Sequence, residues 1–370
     1  MLHAREARIL KRPAGGDDLS ISDITAEAAR LQAFDGHENI WCGRDESSGL
    51  TAIVAIHSTK LGPALGGTRI WPHESFEAAL TDALRLSRGM TYKSAVAGLP
   101  LGGGKAVIIA DPKRDKTPAL LIAYAEMLTR LDGQFITAED VGMTLEDADF
   151  LREHAPNVVG TSAGGSGNPS PFTAEGVFLG IKAALEHRNG SDRLSGIRVA
   201  VQGLDSVGWS LCEKLYREGA ELIVTDLDAA QVGKAQRAFE AEAVAPNDIV
   251  AVEADVFAPC ALGGVISRKT VSSLRFGIVA GSANNQLAEH EDARLLMERG
   301  ILYAPDYVIN AGGLINVAAE LSPQGYDPEA VMAKLAKIPA TLTEIFRRSA
   351  QQKRPTNDIA AEIAMERIGR

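Results

Sequence analysis

The sequence predicts an α/β protein with two domains, the second of which contains a doubly wound parallel sheet. Its 370 residues exceed what a single hydrophobic core usually holds. Short apolar strands alternate with helical stretches, and SAGGSGNPSP at residues 162–171 is the strongest linker signal. We therefore expect a first domain at residues 1–158, a second at 159–338, and C-terminal helices at 339–370.

The amino-acid composition disfavours several kinds of function. The formal net charge of −10 disfavours nucleic-acid binding, which needs a basic face. The three cysteines are far apart and the seven histidines are scattered, so neither a disulfide framework nor a metal site is predicted. The N-terminus has no long apolar run like those of signal peptides and membrane helices. These patterns predict a cytoplasmic enzyme, with a poorly ordered extension at residues 1–20.

The first domain opens with strand and helix patterns. Residues 50–57 are mostly apolar and predict a buried strand, and apolar side chains at helical spacing follow at 75–88 and 118–131. Residues 134–142 predict a short strand that ends in the adjacent carboxylates Glu139 and Asp140. Polar residues at the ends of strands are candidates for chemistry.

Two lysines, Lys93 and Lys105, flank the most informative segment of this domain. Three glycines at 102–104 predict a turn in which the backbone can approach a ligand, before a buried strand at 106–109. A phosphate-binding P-loop is excluded, because it requires Ser or Thr after the lysine and then a helix. Two cations this close favour an anionic substrate, although two solvated lysines beside a glycine turn would give the same pattern.

Asp140 and a second glycine pair extend this candidate site. A carboxylate near a lysine can hold it in position or exchange protons with it, whereas burial lowers the pKa of a lysine and makes it a base near neutral pH. The sequence does not decide between these effects. Another predicted glycine turn, at Gly66 and Gly67, offers backbone N–H groups to a carboxylate.

The second domain carries a dinucleotide-binding pattern. A strand at 197–202 runs into the turn Gly203-Leu-Asp-Ser-Val-Gly208 and a helix, and the next strand, 221–225, ends at Asp226. An acidic residue at that spacing binds the adenosine ribose, which favours NAD over NADP.

Asp205 departs from this pattern, because it occupies the second glycine position. A carboxylate there would repel the pyrophosphate unless it pointed into solvent, and the sequence offers no reason for its presence. Later strand ends finish in small or amide residues, as ligand-facing loops do, although Asn285 and Asn310 also suit ordinary turns. Apolar side chains at helical spacing predict a helix through 331–346 and another near 359–363.

From about residue 50 to its end, the chain closely resembles the glutamate, leucine, phenylalanine and valine dehydrogenase family, and within it the leucine dehydrogenase branch. The resemblance rests on motifs in family order: LGPALGGTRIW, DALRLSRGMTYKSAVAGLPLGGGKAVI, ITAEDVG, GNPSPFTAEGVFLGIKAA, APCALGG, VAGSANNQL and APDYVINAGGLINVA. It implies a substrate domain, an inserted Rossmann domain that binds NAD, C-terminal helices that pack back on the first domain, and a cleft that closes on the substrate.

The resemblance also implies residue roles. Lys93 and the backbone of Gly66 and Gly67 hold the substrate carboxylate, Lys105 is the catalytic lysine, and Asp140 assists proton transfer. The implied side-chain pocket is apolar and consists of Leu65, Ala138, Leu314 and Val317. The cofactor-binding positions are Thr173, Gly203, Leu204, Asp205, Ser206, Val207, Gly208, Asp226 and Asn285.

The implied activity is reversible NAD-dependent oxidative deamination of a branched-chain L-amino acid to the 2-oxo acid and ammonia, by a homo-oligomer. An aromatic amino acid dehydrogenase remains open, because some aromatic-specific relatives carry the same AGGL stretch. A glutamate dehydrogenase is a further alternative. A weakly active NAD-binding relative is favoured only by Asp205. Met143 also departs from the family, since leucine enzymes usually have a small polar residue there.

Overall fold

The computed structural model describes residues 19–162, 165–261 and 263–369, which form two compact units. The first unit contains the described residues up to Gly167 together with Glu320–Tyr326, and the second contains Asn168–Ala319 and the described residues from Asp327 onward. Most of the predicted extension at 1–20 lies outside the described residues. Of its two described members, Leu19 is buried in the core and Ser20 begins a strand.

The first unit is built on a mixed six-stranded sheet. Its strands are β1 (Ser20–Asp23), β2 (Asn39–Asp45), β3 (Leu50–Ser58), β4 (Ala64–Trp71), β5 (Gly102–Ile109) and β6 (Phe135–Glu139). They lie in the order β1-β2-β3-β5-β4-β6. The pairs β1–β2, β2–β3 and β3–β5 are antiparallel, whereas β4 pairs in parallel with both β5 and β6.

Helices cover both faces of this sheet. They are α1 (Thr25–Ala28), α2 (Phe76–Val96), α3 (Pro118–Arg130) and α4 (Leu145–His154). The alternation of side chains along a strand sends Val107 of β5 into the apolar cluster with α2, and its neighbour Ile108 into the cluster with α3. α2 begins where the Ala78 N–H donates to the Ser75 hydroxyl oxygen.

The predictions of glycine turns at 102–104 and 66–67 are wrong, because both segments are strands. A Cβ on Gly103 would lie 2.0 Å from the backbone nitrogen of Thr91 on α2. Glycine is therefore required so that α2 can pack directly against the backbone of β5.

The second unit contains an all-parallel sheet. Its strands are β7 (Arg198–Gln202), β8 (Glu221–Thr225), β9 (Glu242–Ala243), β10 (Val256–Pro259), β11 (Ile278–Val279) and β12 (Leu302–Tyr303). They lie in the order β12-β11-β10-β7-β8-β9. Strands are therefore added on one side of β7 up to β9 and on its other side from β10 onward. This is the order of a doubly wound dinucleotide-binding sheet, and the predicted fold class is confirmed.

The helices of the second unit include those predicted after Gly208 and near residues 359–363. They are α5 (Ser170–Asn189), α6 (Ser206–Arg217), α7 (Ala229–Phe239), α8 (Arg268–Val271), α9 (Asp292–Glu298), α10 (Asp306–Ile309), α11 (Gly312–Ala318), α12 (Pro328–Leu335), α13 (Ile338–Gln352) and α14 (Thr356–Ile368). The single helix predicted through 331–346 is two helices, because Pro339 lies in the first turn of α13 and favours a break before it.

The described residues from Asp327 onward group with the second unit, whereas the resemblance implied that the last helices return to the first. In the second unit α13 packs on α5: a Cβ on Gly180 would lie 3.0 Å from Leu342 Cδ1, and the rings of His187 and Phe346 are 5.3 Å apart. Among the described residues, no helix has the length and apolar character that crossing a membrane requires.

Candidate active site

Lys105 lies on β5 and is almost completely buried. It follows Gly103 by two residues, so it lies on the sheet face that α2 covers. Its side chain is 7 % exposed, and its Nζ is 2.6 Å from Asp140 Oδ2. The structure therefore joins the lysine and the carboxylate that the sequence placed on separate motifs.

The pKa values of this pair show which effect dominates. Burial lowers the pKa of Lys105 below its ordinary value, and the attraction of Asp140 does not restore it. Burial also raises the pKa of Asp140, but the charges of Lys105 and Arg69 and the N–H of Val141 outweigh it, so that pKa lies below its ordinary value. Asp140 thus holds the lysine in place, while burial favours its neutral form.

Gly67 of β4 makes room for Asp140, which directly follows β6. Gly67 pairs with Ala138, and a Cβ on Gly67 would lie 2.7 Å from the Glu139 carbonyl oxygen and 2.8 Å from Asp140 Cβ. Any side chain at residue 67 would displace the carboxylate from Lys105. Gly67 of the motif LGGTR thus contributes to the position of Asp140 through packing.

The loop after Asp140 is anchored on both sides. Lys116 Nζ donates to the Gly142 carbonyl oxygen at 3.2 Å and also pairs with Asp147. Met143 is buried in the core beside α3 and α4. Its departure from the family pattern is therefore a matter of core packing.

Lys93 lies in the last turn of α2 and is partly exposed. Because α2 packs on β5 at Gly103, the helix positions Lys93 in the same unit as Lys105. Gly66 and Gly67 lie on β4, the parallel neighbour of β5. The first unit therefore contains all the residues predicted to bind the substrate carboxylate and to move protons.

Arg69 and Asp82 were missed by the sequence analysis. Arg69 Nε lies 3.3 Å from Asp140 Oδ2, and Arg69 Nη1 lies 2.9 Å from Asp82 Oδ2 on α2. The available signal was a charged residue within the otherwise apolar strand of LGGTRIW. Which side chain it would meet depends on the packing of α2 and could not be read from the motif.

In the second unit, the turn between β7 and α6 has the predicted geometry. Gly203 has φ +97°, in the left-handed region that favours glycine, and a Cβ on it would lie 2.7 Å from Ala261 Cβ. A Cβ on Gly208 would lie 1.9 Å from the Gly203 carbonyl oxygen. The close approach of strand, turn and helix, at the point where the strand order reverses, fits a bound dinucleotide.

Asp205 is the N-cap of α6. Its Oδ1 accepts the N–H groups of Val207 at 3.2 Å and of Gly208 at 3.3 Å. This explains why an aspartate is tolerated in the turn, since aspartate is among the best N-cap residues. The same two N–H groups form the positive end of the helix dipole, where a pyrophosphate would bind.

Asp226 follows β8 and is tied into the same turn. Its Oδ2 accepts the N–H of Leu204 at 2.6 Å, and its Oδ1 accepts the N–H of Asp228 at 2.8 Å. Asp226 therefore lies at the turn that Gly203 opens, as the spacing predicted. Thr173 lies on α5, where its hydroxyl donates to the Pro169 carbonyl oxygen at 3.2 Å.

Asn285 and Asn310 have different roles in the loop after β11. Asn285 is exposed and has a left-handed φ of +53°. Asn310 is buried, and its Nδ2 donates to the Ser282 carbonyl oxygen and to Asn284 Oδ1, both at 2.9 Å. Asn310 thus shapes the loop that presents Asn285, which the turn interpretation of Asn310 did not anticipate.

The four predicted pocket residues differ in exposure. Leu65 on β4 is 1 % exposed. The others, Ala138 on β6 and Leu314 and Val317 on α11, are partly exposed. The searched, described part of the chain holds no group of three or more His, Cys, Asp or Glu residues arranged to bind a metal.

Sequence profiles of known families match most of the chain. Residues 39–156 match the profile described as Glu/Leu/Phe/Val dehydrogenase, dimerisation domain. Residues 224–370 match the profile of Glutamate/Leucine/Phenylalanine/Valine dehydrogenase.

Individual relatives extend over nearly the whole chain. The leucine dehydrogenase of Geobacillus stearothermophilus is 51% identical over 91% of this chain and 92% of its own length. The phenylalanine dehydrogenase of Lysinibacillus sphaericus is 46% identical over 86% and 85%. The crystal structure of L-tryptophan dehydrogenase from Nostoc punctiforme superposes with a TM-score of 0.82 at 47% identity, covering 90% of this chain and 96% of that one.

The cap on α6 generates a first prediction, for Asp205→Gly. Removing the carboxylate frees two N–H groups and relieves like-charge repulsion of about 1 kcal/mol, so NADH should bind about fivefold more tightly. Asp205→Asn, which keeps a capping oxygen without the charge, should give part of the gain. Titration by NADH fluorescence measures both. Asp228→Asn, which alters the equivalent cap on α7, is the matched control, and equal dissociation constants for all four proteins would contradict the prediction.

Proposed function

This chain belongs to the glutamate, leucine, phenylalanine and valine dehydrogenase family, and we propose that it oxidatively deaminates branched aliphatic L-amino acids with NAD. The observation that carries the proposal is the buried Lys105–Asp140 pair, with Nζ and Oδ2 2.6 Å apart. It is supported by leucine dehydrogenase relatives about half identical to this chain over nine-tenths of its length.

Lys105 acts as the general base in this proposal. A lysine must be neutral to accept a proton, and burial lowers the pKa of Lys105 in that direction. Loss of a hydride from the amino acid Cα, which bound NAD would accept, and of a proton from the α-amino group leaves the substrate imine. Lys105 then takes a proton from the water that adds to the substrate imine, and Asp140 keeps Nζ oriented and exchanges protons with it. Lys105 returns this proton to the nitrogen of the carbinolamine, whose collapse with loss of the hydroxyl proton gives ammonia and the 2-oxo acid.

Lys93 binds the substrate carboxylate together with backbone N–H groups of Gly66 and Gly67. A charge-assisted contact of this kind is stronger than a neutral hydrogen bond and contributes to binding of the amino acid. NAD is held at the turn from Gly203 to Gly208, with Thr173 and Asn285 as further contacts. Asp226 favours NAD over a 2′-phosphorylated cofactor, because its carboxylate would repel the phosphate.

Assembly, location and metabolic role are further parts of the proposal. We propose a cytoplasmic homo-oligomer that takes part in branched-chain amino acid catabolism, with amino acids, 2-oxo acids and ammonia as its small-molecule partners. Support for assembly is the description of the matched profile over residues 39–156 as a dimerisation domain. A single-chain mass in sedimentation equilibrium would contradict this part of the proposal.

The role of Lys105 is tested by Lys105→Ala. We expect a loss of about 10²- to 10⁴-fold in kcat with little change in NADH binding, because the lysine acts on water and substrate. Lys93→Ala should mainly raise the KM for the amino acid. Lys113→Ala removes an exposed lysine of the same unit and should leave both constants unchanged. Initial rates from NADH absorbance measure all three, and wild-type turnover of Lys105→Ala would refute the assignment.

Substrate choice is tested with leucine, valine, phenylalanine, tryptophan and glutamate. The four proposed pocket residues are apolar, so a glutamate side chain would lose the hydration of its carboxylate at a cost of several kcal/mol. A branched aliphatic side chain would instead gain ~1.5 to 3 kcal/mol on burial. We expect kcat/KM to be highest for leucine or valine.

Three other outcomes of this panel have definite meanings. An aromatic substrate at the head of the series would support the alternative activity, which tryptophan and phenylalanine dehydrogenase relatives favour. A kcat/KM that is highest for glutamate would refute the proposed apolar pocket. Activity near the detection limit for every amino acid would support the weakly active relative that Asp205 suggested.

A further inference from the structure

Asp140 shares one carboxylate oxygen between two cations. Its Oδ2 lies 2.6 Å from Lys105 Nζ and 3.3 Å from Arg69 Nε. The other side of the Arg69 guanidinium is held by Asp82 on α2, whose Oδ2 is 2.9 Å from Nη1. The Arg69 side chain is 24 % exposed, so this network lies partly out of water and is screened less than a surface ion pair.

This sharing limits how strongly Asp140 can stabilise a charged lysine. A carboxylate that faces a single ammonium favours its protonated form, whereas a general base has to be neutral. A second fixed cation partly neutralises the carboxylate, which therefore attracts the lysine ammonium less strongly. The second cation also repels the ammonium directly. The arginine guanidinium suits this position because it stays charged at every working pH.

We propose that Arg69 is a positioning residue for the reaction: it holds Asp140 in its shared geometry and keeps Lys105 in the neutral form that a general base requires. The inference rests on the proposed role of Lys105. It assigns a function to the arginine of the LGGTRIW motif, which the sequence analysis left without one.

The charged groups around Lys105 and Asp140 determine in which direction a substitution should move the pKa of Lys105. Asp140 and Asp82 raise the pKa of Lys105, and Arg69 lowers it, in addition to the larger lowering by burial. Glu139 lies next to Asp140 in the chain, and His73 Nε2 is 3.6 Å from Asp82 Oδ2.

Removing the arginine should therefore raise the pKa of Lys105. The rate of oxidative deamination rises with pH as Lys105 loses its proton, so this acid limb should move to higher pH. Removing the charge of Asp82 should move it in the opposite direction.

The test is the pH dependence of kcat in Arg69→Met, at saturating NAD and the best amino acid of the panel. We expect its acid limb to move up by about one pH unit, with kcat about tenfold lower near neutral pH and recovered at high pH. Arg69→Lys keeps the positive charge on a shorter side chain. Its acid limb should lie between those of wild type and Arg69→Met. Asp82→Asn should move the limb to lower pH.

Arg85→Met is the matched control. Arg85 is an exposed arginine of α2 that lines the same cavity of about 470 Å³ as Arg69, so the variant loses an equal nearby charge. Its limb should coincide with that of wild type.

Three results would overturn the inference: a kcat lowered equally at every pH in Arg69→Met, an equal shift in Arg85→Met, or a shift of the same sign in Asp82→Asn. The first would reduce Arg69 to a structural contact. If Arg69→Met does not fold in a urea titration, the two conservative variants carry the test. Failure of the proposed role of Lys105 is a separate result, since Lys105→Ala would then retain the wild-type rate.

Discussion

The burial of a lysine against a single aspartate is the constraint that organises the first unit. A buried ammonium without a partner would cost several kcal/mol, so Lys105 requires Asp140 within contact distance. That carboxylate can approach only because residue 67 has no side chain, with a would-be Cβ 2.8 Å from Asp140 Cβ. The lysine is buried in turn because α2 packs directly on Gly103. The glycine on β4, the lysine on β5 and the aspartate directly after β6 are thus parts of one requirement.

Sequence identified the residues of this site better than it identified their local structure. The motifs GGGK and ITAEDVG led to Lys105 and Asp140, which the structure places in contact. The glycines were interpreted as turns, because glycine suits a turn and a crowded strand equally well. The difference lies in what occupies the space beside them, here Thr91 of α2, and that is tertiary information. Arg69 escaped notice for the same reason, since its partners come from α2 and from the end of β6.

The second unit was predicted more completely because its signal is local. Strand, turn, helix, strand and acid follow one another along a short stretch, and a right-handed crossover leaves few ways to arrange them. The break between α12 and α13 also had a local cause in Pro339, which the continuous apolar spacing obscured. The buried amide of Asn310 was not predictable, since its two acceptors lie in a different loop.

Asp205 shows how a binding turn can keep its shape while its chemistry changes. The N–H groups that open a helix must be satisfied by something, whether a ligand phosphate, water or a side chain. An aspartate cap supplies a permanent acceptor for two of them and stabilises the helix by about 1 kcal/mol. The glycines at 203 and 208 still enforce the close packing of strand and helix, because a Cβ on either would meet atoms of Ala261, Gly203 or Cys260 and none of residue 205. The fold therefore does not depend on the second glycine of the pattern. The predicted effect of the substitution is therefore on cofactor affinity, since the fixed carboxylate would compete with the proposed pyrophosphate for the same N–H groups.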